Sequence, residues 1–302
     1  MQEIIKDLVS IVVVVYNSSR FILETLESIK LQTYSNIELI ITDDCSTDDT
    51  VAICKNWLIE NSDIFTHSKL LIAEKNQGIV RNCNKGIKEA TGEYLKMNAG
   101  DDYLEAKFIE KCIRLIETDQ NIGFVFTNTY LVLEKAKRII KEDISKFKSG
   151  SIFKELFHLE FWPKSSSWLY RTNVVLEMGM YDESIWVEDY FLALKIASKY
   201  KIIHLNEFLS YYRLHDANNG NDSIRLFEAQ LSTIDRFKDY EYYNERRKLI
   251  LQSLAECASR DDLSYLWKLA VKENNVAFFL LYIKTVLKTN LKKIRNAFNH
   301  HY

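Results

Sequence analysis

With one proline and eight glycines in 302 residues, the sequence has no collagen-like repeat, flexible linker or low-complexity arm, and it contains no internal repeat. Its five cysteines (Cys45, Cys54, Cys83, Cys112 and Cys257) are odd in number and include no Cys-x-x-Cys pair. That argues against a disulfide framework and against a zinc ribbon, and reduced thiols are expected. A formal net charge of -2 gives no overall pull toward nucleic acid, so no nucleic-acid partner is expected. No apolar run reaches the roughly 18 residues a membrane span needs. The start, M-Q-E-I-I-K-D-L-V-S, lacks the basic end, apolar stretch and small-residue cleavage site of a signal peptide, and a cytoplasmic protein is expected.

What is present is an alternation. Val9-Ser-Ile-Val-Val-Val-Val15 is a β-branched run, apolar at nearly every position, as a strand covered on both faces should be. Ile22, Leu23, Leu26 and Ile29 recur at helical spacing, and Glu38 to Thr42 forms a second strand. Val51, Ile53, Cys54, Trp57 and Leu58 mark a helix, Lys69 to Ala73 a strand, and Ile79, Cys83, Ile87 and Ala90 another helix. Glu93 to Met97 is a fourth strand, followed by a helix expected over Tyr103 to Glu117. Four β-α alternations predict an α/β fold with a parallel, doubly wound sheet and ligand sites at the carboxyl ends of the strands. Phe124 to Leu133 adds a strand, and the pattern then loosens until a helix over Glu188 to Tyr200 and short strands at Ile202 to Leu205 and Leu209 to Arg213. From Ser223 onward the chain reads as helices, which divides it into a domain over 1–222 and a helical region over 223–302.

The polar clusters fall at the strand ends. Asp43-Asp44 follows the second strand, where a carboxylate can accept hydrogen bonds from a base or a ribose; Ser46 with Asp49 also fits a capping box for the next helix. Arg81 lies off the apolar stripe of its helix, placed either to pair with a diphosphate or simply to be solvated. In M-N-A-G-D-D-Y-L, Asp102 and Glu105 match the N-cap and N3 pair of a helix beginning at Tyr103, which leaves Asp101 spare. One carboxylate is enough for Mg²⁺ or Mn²⁺ when substrate phosphates and water fill the other positions. Glu188-Asp189 precedes a helix and reads either as a cap or as a base near a bound hydroxyl. His215, in Y-Y-R-L-H, reads as a metal ligand or a surface histidine.

Taken in order, S-I-V-V-V-V-Y-N, S-I-K-L-Q-T-Y-S-N-I-E-L-I-I-T-D-D-C-S-T-D-D-T, N-Q-G-I-V-R-N, G-E-Y-L-K-M-N-A-G-D-D, V-E-D and Y-Y-R-L-H resemble the family 2 glycosyltransferases of the GT-A fold, from about Val9 to Asn218. The resemblance implies a Rossmann-like, mostly parallel sheet flanked by helices, with a helical C-terminal extension. It implies that Val14, Tyr16, Asp43 and Asp44 hold the nucleoside, that Arg81 faces the diphosphate, and that Gly100 belongs to the nucleotide-binding loop. Asp101 matches the last aspartate of the family's Asp-x-Asp metal motif, His215 a histidine that assists the metal, and Asp189 the catalytic base. Ala99 and Gly100 occupy the motif's other two places, so its first carboxylate is missing.

The activity implied is an inverting transfer of a hexose, UDP-glucose or UDP-galactose being the first donors to try, to a sugar hydroxyl with formation of a β-linkage. The acceptor implied is a glycan or diphospholipid-linked intermediate of bacterial O-antigen or capsule synthesis. Trp162, Ser165 and Glu188 are the acceptor candidates, the segment around Trp168 and Tyr170 reading equally well as core. Between Asn274 and Tyr302 there is no acidic residue, while Lys284, Lys288, Lys292, Lys293 and Arg295 alternate with Phe278, Phe279, Leu281, Tyr282, Val286 and Leu287. The stretch 276–295 is therefore either a basic amphipathic segment for an anionic membrane, on the inner face of the cell membrane, or a packed helix. An oligomer is compatible with the sequence. A sugar nucleotidyltransferase would need a glycine-rich loop after the first strand, and V-Y-N-S-S-R has none. A nucleotide-sugar-binding scaffold that has lost activity is the alternative that Ala99 raises.

Overall fold

In the computed structural model, residues 3–185, 188–216, 223–257 and Ile283 are described. The chain divides into two compact units, 1–217 and 218–302. The expected alternation forms the first part of unit one: β1 (Ile5–Val15), α1 (Ile22–Lys30), β2 (Ile37–Asp43), α2 (Thr50–Asn61), β3 (His67–Ile72), α3 (Ile79–Glu89) and β4 (Gly92–Ala99). β1 is buried from Leu8 through Val13, which is why its apolar run shows no alternation. The four strands are parallel in the order β3-β2-β1-β4. In this register Val14 lies opposite Thr42 and Ala99, and Val15 opposite Asp43. Three segments far apart in sequence therefore end at one level of the sheet.

α3 packs on β1 and β2 through a close approach at Gly86, where an added Cβ would come 2.2 Å from Val12 Cγ1. Gly86→Ala is expected to cost about 1–3 kcal/mol by overpacking, read as a lowered midpoint in chemical denaturation. An unchanged midpoint would mean that the helix shifts without strain.

The second half of the sheet departs from the local pattern. The helix expected from Tyr103 does not begin there. Tyr103–Leu104 is a short strand, β5, and α4 runs over Phe108–Ile116. β5 pairs antiparallel with Tyr211 and Ser210, and the Tyr103 ring stacks on Tyr211 at 4.3 Å. This long-range pairing outweighs the local Asp102–Glu105 capping signal, and Asp102 is not a helix cap.

β6 (Ile122–Leu133) forms as expected, while the two short strands near 202–213 are one continuous strand, β9 (Lys201–Leu214), parallel to β6 with irregular register. The patternless stretch contains β7 (Arg138–Lys141), α5 (Phe153–Phe157), β8 (Trp168–Arg171) and α6 (Thr172–Glu177). β8, antiparallel to both β4 and β6, completes the order β3-β2-β1-β4-β8-β6-β9-β5, with β7 on β6. The sheet is thus mixed: its amino-terminal strands β1 to β4 are all parallel, and beyond them the pairs are antiparallel except for β6 with β9. α7 (Glu188–Ala197) closes the unit before β9.

In unit two, α8 (Ser223–Ile234) and α9 (Tyr243–Cys257) pack on each other. Apart from Ile283, the basic stretch 276–295 lies outside the described residues. Among the described residues, no helix is long and apolar enough to cross a membrane.

Candidate active site

The end of β2 is built by its own carboxylates. Asp43, fully buried, accepts the Ser46 N–H at 2.9 Å and the Ser46 hydroxyl. Asp44 receives the N–H groups of Gln77 and Gly78, each at 2.8 Å, one on each oxygen, and so braces the entry to α3. Its own N–H donates to the carbonyl of Val15 at 3.1 Å, which binds this loop to the buried last residue of β1. Tyr16, just beyond, is 49% exposed.

The capping box expected of Ser46 and Asp49 does not form. Ser46 is taken by Asp43, Asp49 makes no side-chain cap, and Asp48 receives the Thr50 N–H at 3.0 Å. Arg81, on the first turns of α3, is exposed and its Nε meets Glu183 at 2.8 Å. Both border a polar cavity of about 350 Å³ that Asp44, Gln77, Asn84 and Lys85 also line.

At the end of β4 the two adjacent aspartates have different surroundings. Gly100 donates its N–H to Val14 at 2.9 Å, and a Cβ on it would lie 2.6 Å from Val15 Cγ1. Its value is therefore this close approach to β1 and not a left-handed turn. Asn98 holds the loop from within, its Nδ2 donating to the carbonyls of Ala99 and Asp102, each at 2.9 Å.

Asp102 is buried and accepts the Arg213 N–H at 2.9 Å. Burial, with the neighbouring charge of Asp101, holds its carboxyl well above the usual carboxylate range. Asp101 points the other way, its Oδ2 2.8 Å from His215 Nε2. The Arg213 side chain ties the corner together, donating from Nε to the Asp101 carbonyl at 2.9 Å, pairing with Glu24 and Glu134, and lying over the Phe21 ring at 4.6 Å. The His215 ring packs on that same Phe21 at 4.9 Å. Ala99 is exposed at the lip of β4.

The third cluster gathers at the start of α7. Oδ1 of Asp189 is buried and has no hydrogen-bond partner. Burial raises its carboxyl above the ordinary range, against the opposing influence of the Tyr190 amide, the Ser165 hydroxyl and the Lys164 cation. Ser165 opens a single 3₁₀ turn, Ser165–Ser167, ahead of β8. Trp162 packs edge-on against Trp168 at 5.4 Å and Tyr190 at 5.2 Å, while Trp168 and Tyr170 are core. The side chain of Glu188 lies outside the described part of the structure.

Residues 10–176 match the family described as Glycosyl transferase family 2, more than half of the chain. The chain belongs to that family. It is 27% identical over 281 residues to an uncharacterized glycosyltransferase of Rickettsia felis, covering 90% of this chain but only 43% of that protein. Its fold resembles residues 1–349 of S. aureus TarS in complex with UDP-GlcNAc, with a TM-score of 0.63, 18% identity and coverage of 92% and 79% of the two chains. The mannosyltransferase PcManGT of Pyrobaculum calidifontis, in complex with GDP-Man and Mn²⁺, gives a TM-score of 0.61 at 15% identity, over 94% and 87%. The fold is GT-A, a curled mixed sheet flanked by helices.

Beside the family's motifs stand residues that periodicity passes over. Tyr212 lies among Asp102, Asp101 and Asp189, and burial together with those three charges pushes its phenol up. Glu142 is pushed up to about 7, chiefly by burial, with Lys164 opposing. Lys164 also reaches over the Tyr212 ring at 5.3 Å, so one cation serves both Glu142 and Asp189. The signal for Tyr212 was its place in Y-Y-R-L-H, two residues after Ser210 in a strand; for Glu142 and Lys164 no local signal exists.

Proposed function

We propose that unit one is an inverting glycosyltransferase that moves a hexose from a UDP-sugar to a sugar hydroxyl, with Asp189 as the base. The buried, unpartnered Oδ1 of Asp189 carries this reading. A carboxylate oxygen kept from water and from protein donors is short of one hydrogen bond, and an incoming hydroxyl can supply it. Burial also raises its proton affinity, which suits a general base.

In the reaction Asp189 takes the acceptor's proton as that oxygen bonds to the anomeric carbon, and the bond from the same carbon to the diphosphate breaks on the opposite face. A single displacement inverts configuration, so an α-linked UDP-glucose or UDP-galactose gives a β-linked product. Val14 and Tyr16 at the end of β1, with the Asp43-Asp44 and Gly100 loops, form the nucleoside cradle. In that cradle Asp43 and Asp44 act by shaping the loops they brace. Arg81 releases Glu183 to meet the diphosphate, an exchange that an exposed pair allows at little cost.

Asp101 and His215, 2.8 Å apart, are the pair that would hold the cation, and among the described residues no three His, Cys, Asp or Glu side chains cluster as a metal site. A carboxylate and an imidazole at one point suit Mn²⁺, or Mg²⁺ with more of its shell from phosphate and water. When bound, the cation neutralises charge on the departing diphosphate. Trp162 and Ser165 border the acceptor side, and a diphospholipid-linked sugar of surface-polysaccharide synthesis fits the basic stretch 276–295, which would rest on an anionic membrane.

UDP release measured with Mn²⁺ across UDP-glucose, UDP-galactose and other UDP-sugars, with sugar acceptors, tests this reading. Ala99 favours the second reading, a binding scaffold without turnover. Nucleotide binding with no donor turned over by any acceptor would support that scaffold and sink the enzyme. The pH profile gives a further check. Asp189 must be ionised to act, so kcat is expected to fall as pH drops through a pKa held above the ordinary carboxylate range. An acid limb at the unperturbed value of about 3.9 would contradict the assigned base.

A further inference from the structure

We propose that Lys96 is a positioning residue for the base, its amino group pinning the Ser165–Ser167 turn, and so the Ser165 hydroxyl that faces Asp189, to the strand that ends in the metal loop. This rests on Asp189 being the base.

Lys96 sits in the middle of β4, opposite Ile11, and is fully buried. Its Nζ donates to the carbonyl of Ser166 at 2.6 Å and to that of Met97 at 2.8 Å, and lies over the Phe108 ring at 5.2 Å. Burying an ammonium is costly, and an apolar side chain of similar length would fill the space without that cost. Packing therefore does not explain a lysine here. Burial lowers its pKa to about 7, while Asp102 works in the other direction.

What the lysine holds is the turn. At its far end Ser167 is fastened to the Lys164 carbonyl by its N–H at 2.9 Å and its hydroxyl at 2.7 Å. Lys96 takes the carbonyl in the middle. Together these bonds fix Ser165 and Lys164, which with the Tyr190 amide oppose the upward shift of Asp189. Lys96 thus couples the β4 strand, which carries Asp101, to the segment that tunes the base. β4 and β8 exchange only two residue pairs directly, Tyr94 with Arg171 and Leu95 with Tyr170, so the lysine extends that contact toward the site.

A double-mutant cycle on the full chain tests it, with Lys96→Met, Ser165→Ala and the double variant measured for kcat, donor Kd by calorimetry and the acid limb of the pH profile. Lys96→Met is expected to lower kcat by about tenfold to a hundredfold with donor Kd unchanged, and to move the acid limb. The double variant should be no slower than the slower single variant, because both changes release the same carboxylate. Lys96→Gln, which keeps an N–H donor group in place of the amine, should recover part of kcat and serves in place of Lys96→Met should the latter not fold. A wild-type kcat in Lys96→Met, or in Lys96→Gln when that stands in, would overturn the proposal, as would losses that multiply in the double variant. A purely structural lysine would lower the melting temperature and leave the acid limb in place. If Asp189→Asn leaves turnover intact, the base assignment fails; if it abolishes turnover while Lys96→Met is silent, only the positioning role fails.

Discussion

Asp189→Asn is expected to lower kcat by about 10²–10⁴-fold while leaving the affinity for a UDP-sugar unchanged. The change keeps shape and one oxygen but removes the ability to accept a proton. Because Oδ1 of Asp189 has no protein partner, its loss breaks no hydrogen bond that holds the fold. The substitution also removes a buried charge whose desolvation already opposes ionisation, so the melting temperature should stay level or rise. That combination, slower and no less stable, separates a base from a structural cap, since loss of a cap would cost about 1 kcal/mol of stability and leave the chemistry alone. Steady-state transfer, calorimetric titration with the donor and thermal unfolding measure the three quantities. Wild-type kcat, or a kcat loss matched by a loss of donor affinity, would remove Asp189 from the role.

The parts of this molecule legible in the sequence are those whose signal is local. The apolar run of β1 and the helical stripe of α1 were readable because a strand covered on both faces and an amphipathic helix each imprint their own period. β8 was not readable, because four residues, Trp168 to Arg171, are too few for a period and owe their extended form to β4 and β6. Asp102 shows the same limit at a single residue. Its local context spells a capping box, yet the backbone amide it serves belongs to Arg213, more than a hundred positions away.

Similarly, Ser46 was legible as a polar turn residue but not as the partner of Asp43. Acidic pairs at strand ends could be found in the sequence because the sheet's topology says where ligands go. The choice of Asp101 over Asp102 rests on a capping role for Asp102 that does not form; what separates the two is burial, since Asp101 meets His215 and Asp102 lies beneath with the Arg213 amide. Lys96 is the extreme case, a buried lysine whose partners, the carbonyls of Ser166 and Met97, no local pattern announces.

Asp101→Asn is expected to abolish the Mn²⁺-dependent gain in UDP affinity and to lower kcat/KM by about 10²–10³-fold, the scale of several kcal/mol of charge stabilisation on a leaving diphosphate. On the proposed reading its carboxylate is the metal's acidic ligand, since Ala99 contributes no oxygen from its side chain, Asp102 faces inward to the Arg213 amide, and Glu24 and Glu134 are paired with the Arg213 side chain. An amide is a weak ligand for a hard cation, so the substitution removes the anchor without removing volume. It leaves the Arg213 bond to the Asp101 carbonyl in place, because that bond uses the backbone. The loop should therefore keep its form, and UDP should still bind without metal as tightly as to the unaltered protein. His215→Ala is expected to cost less, about 10- to 100-fold, as a neutral ligand whose position a water can take. Calorimetry with UDP, with and without Mn²⁺, separates the two. If Asp101→Asn retains the Mn²⁺-dependent gain, the cation is held elsewhere and Asp101 serves only to orient His215. If both variants lose it equally, the pair acts as one bidentate site, and the missing carboxylate at Ala99 was never needed to hold the metal.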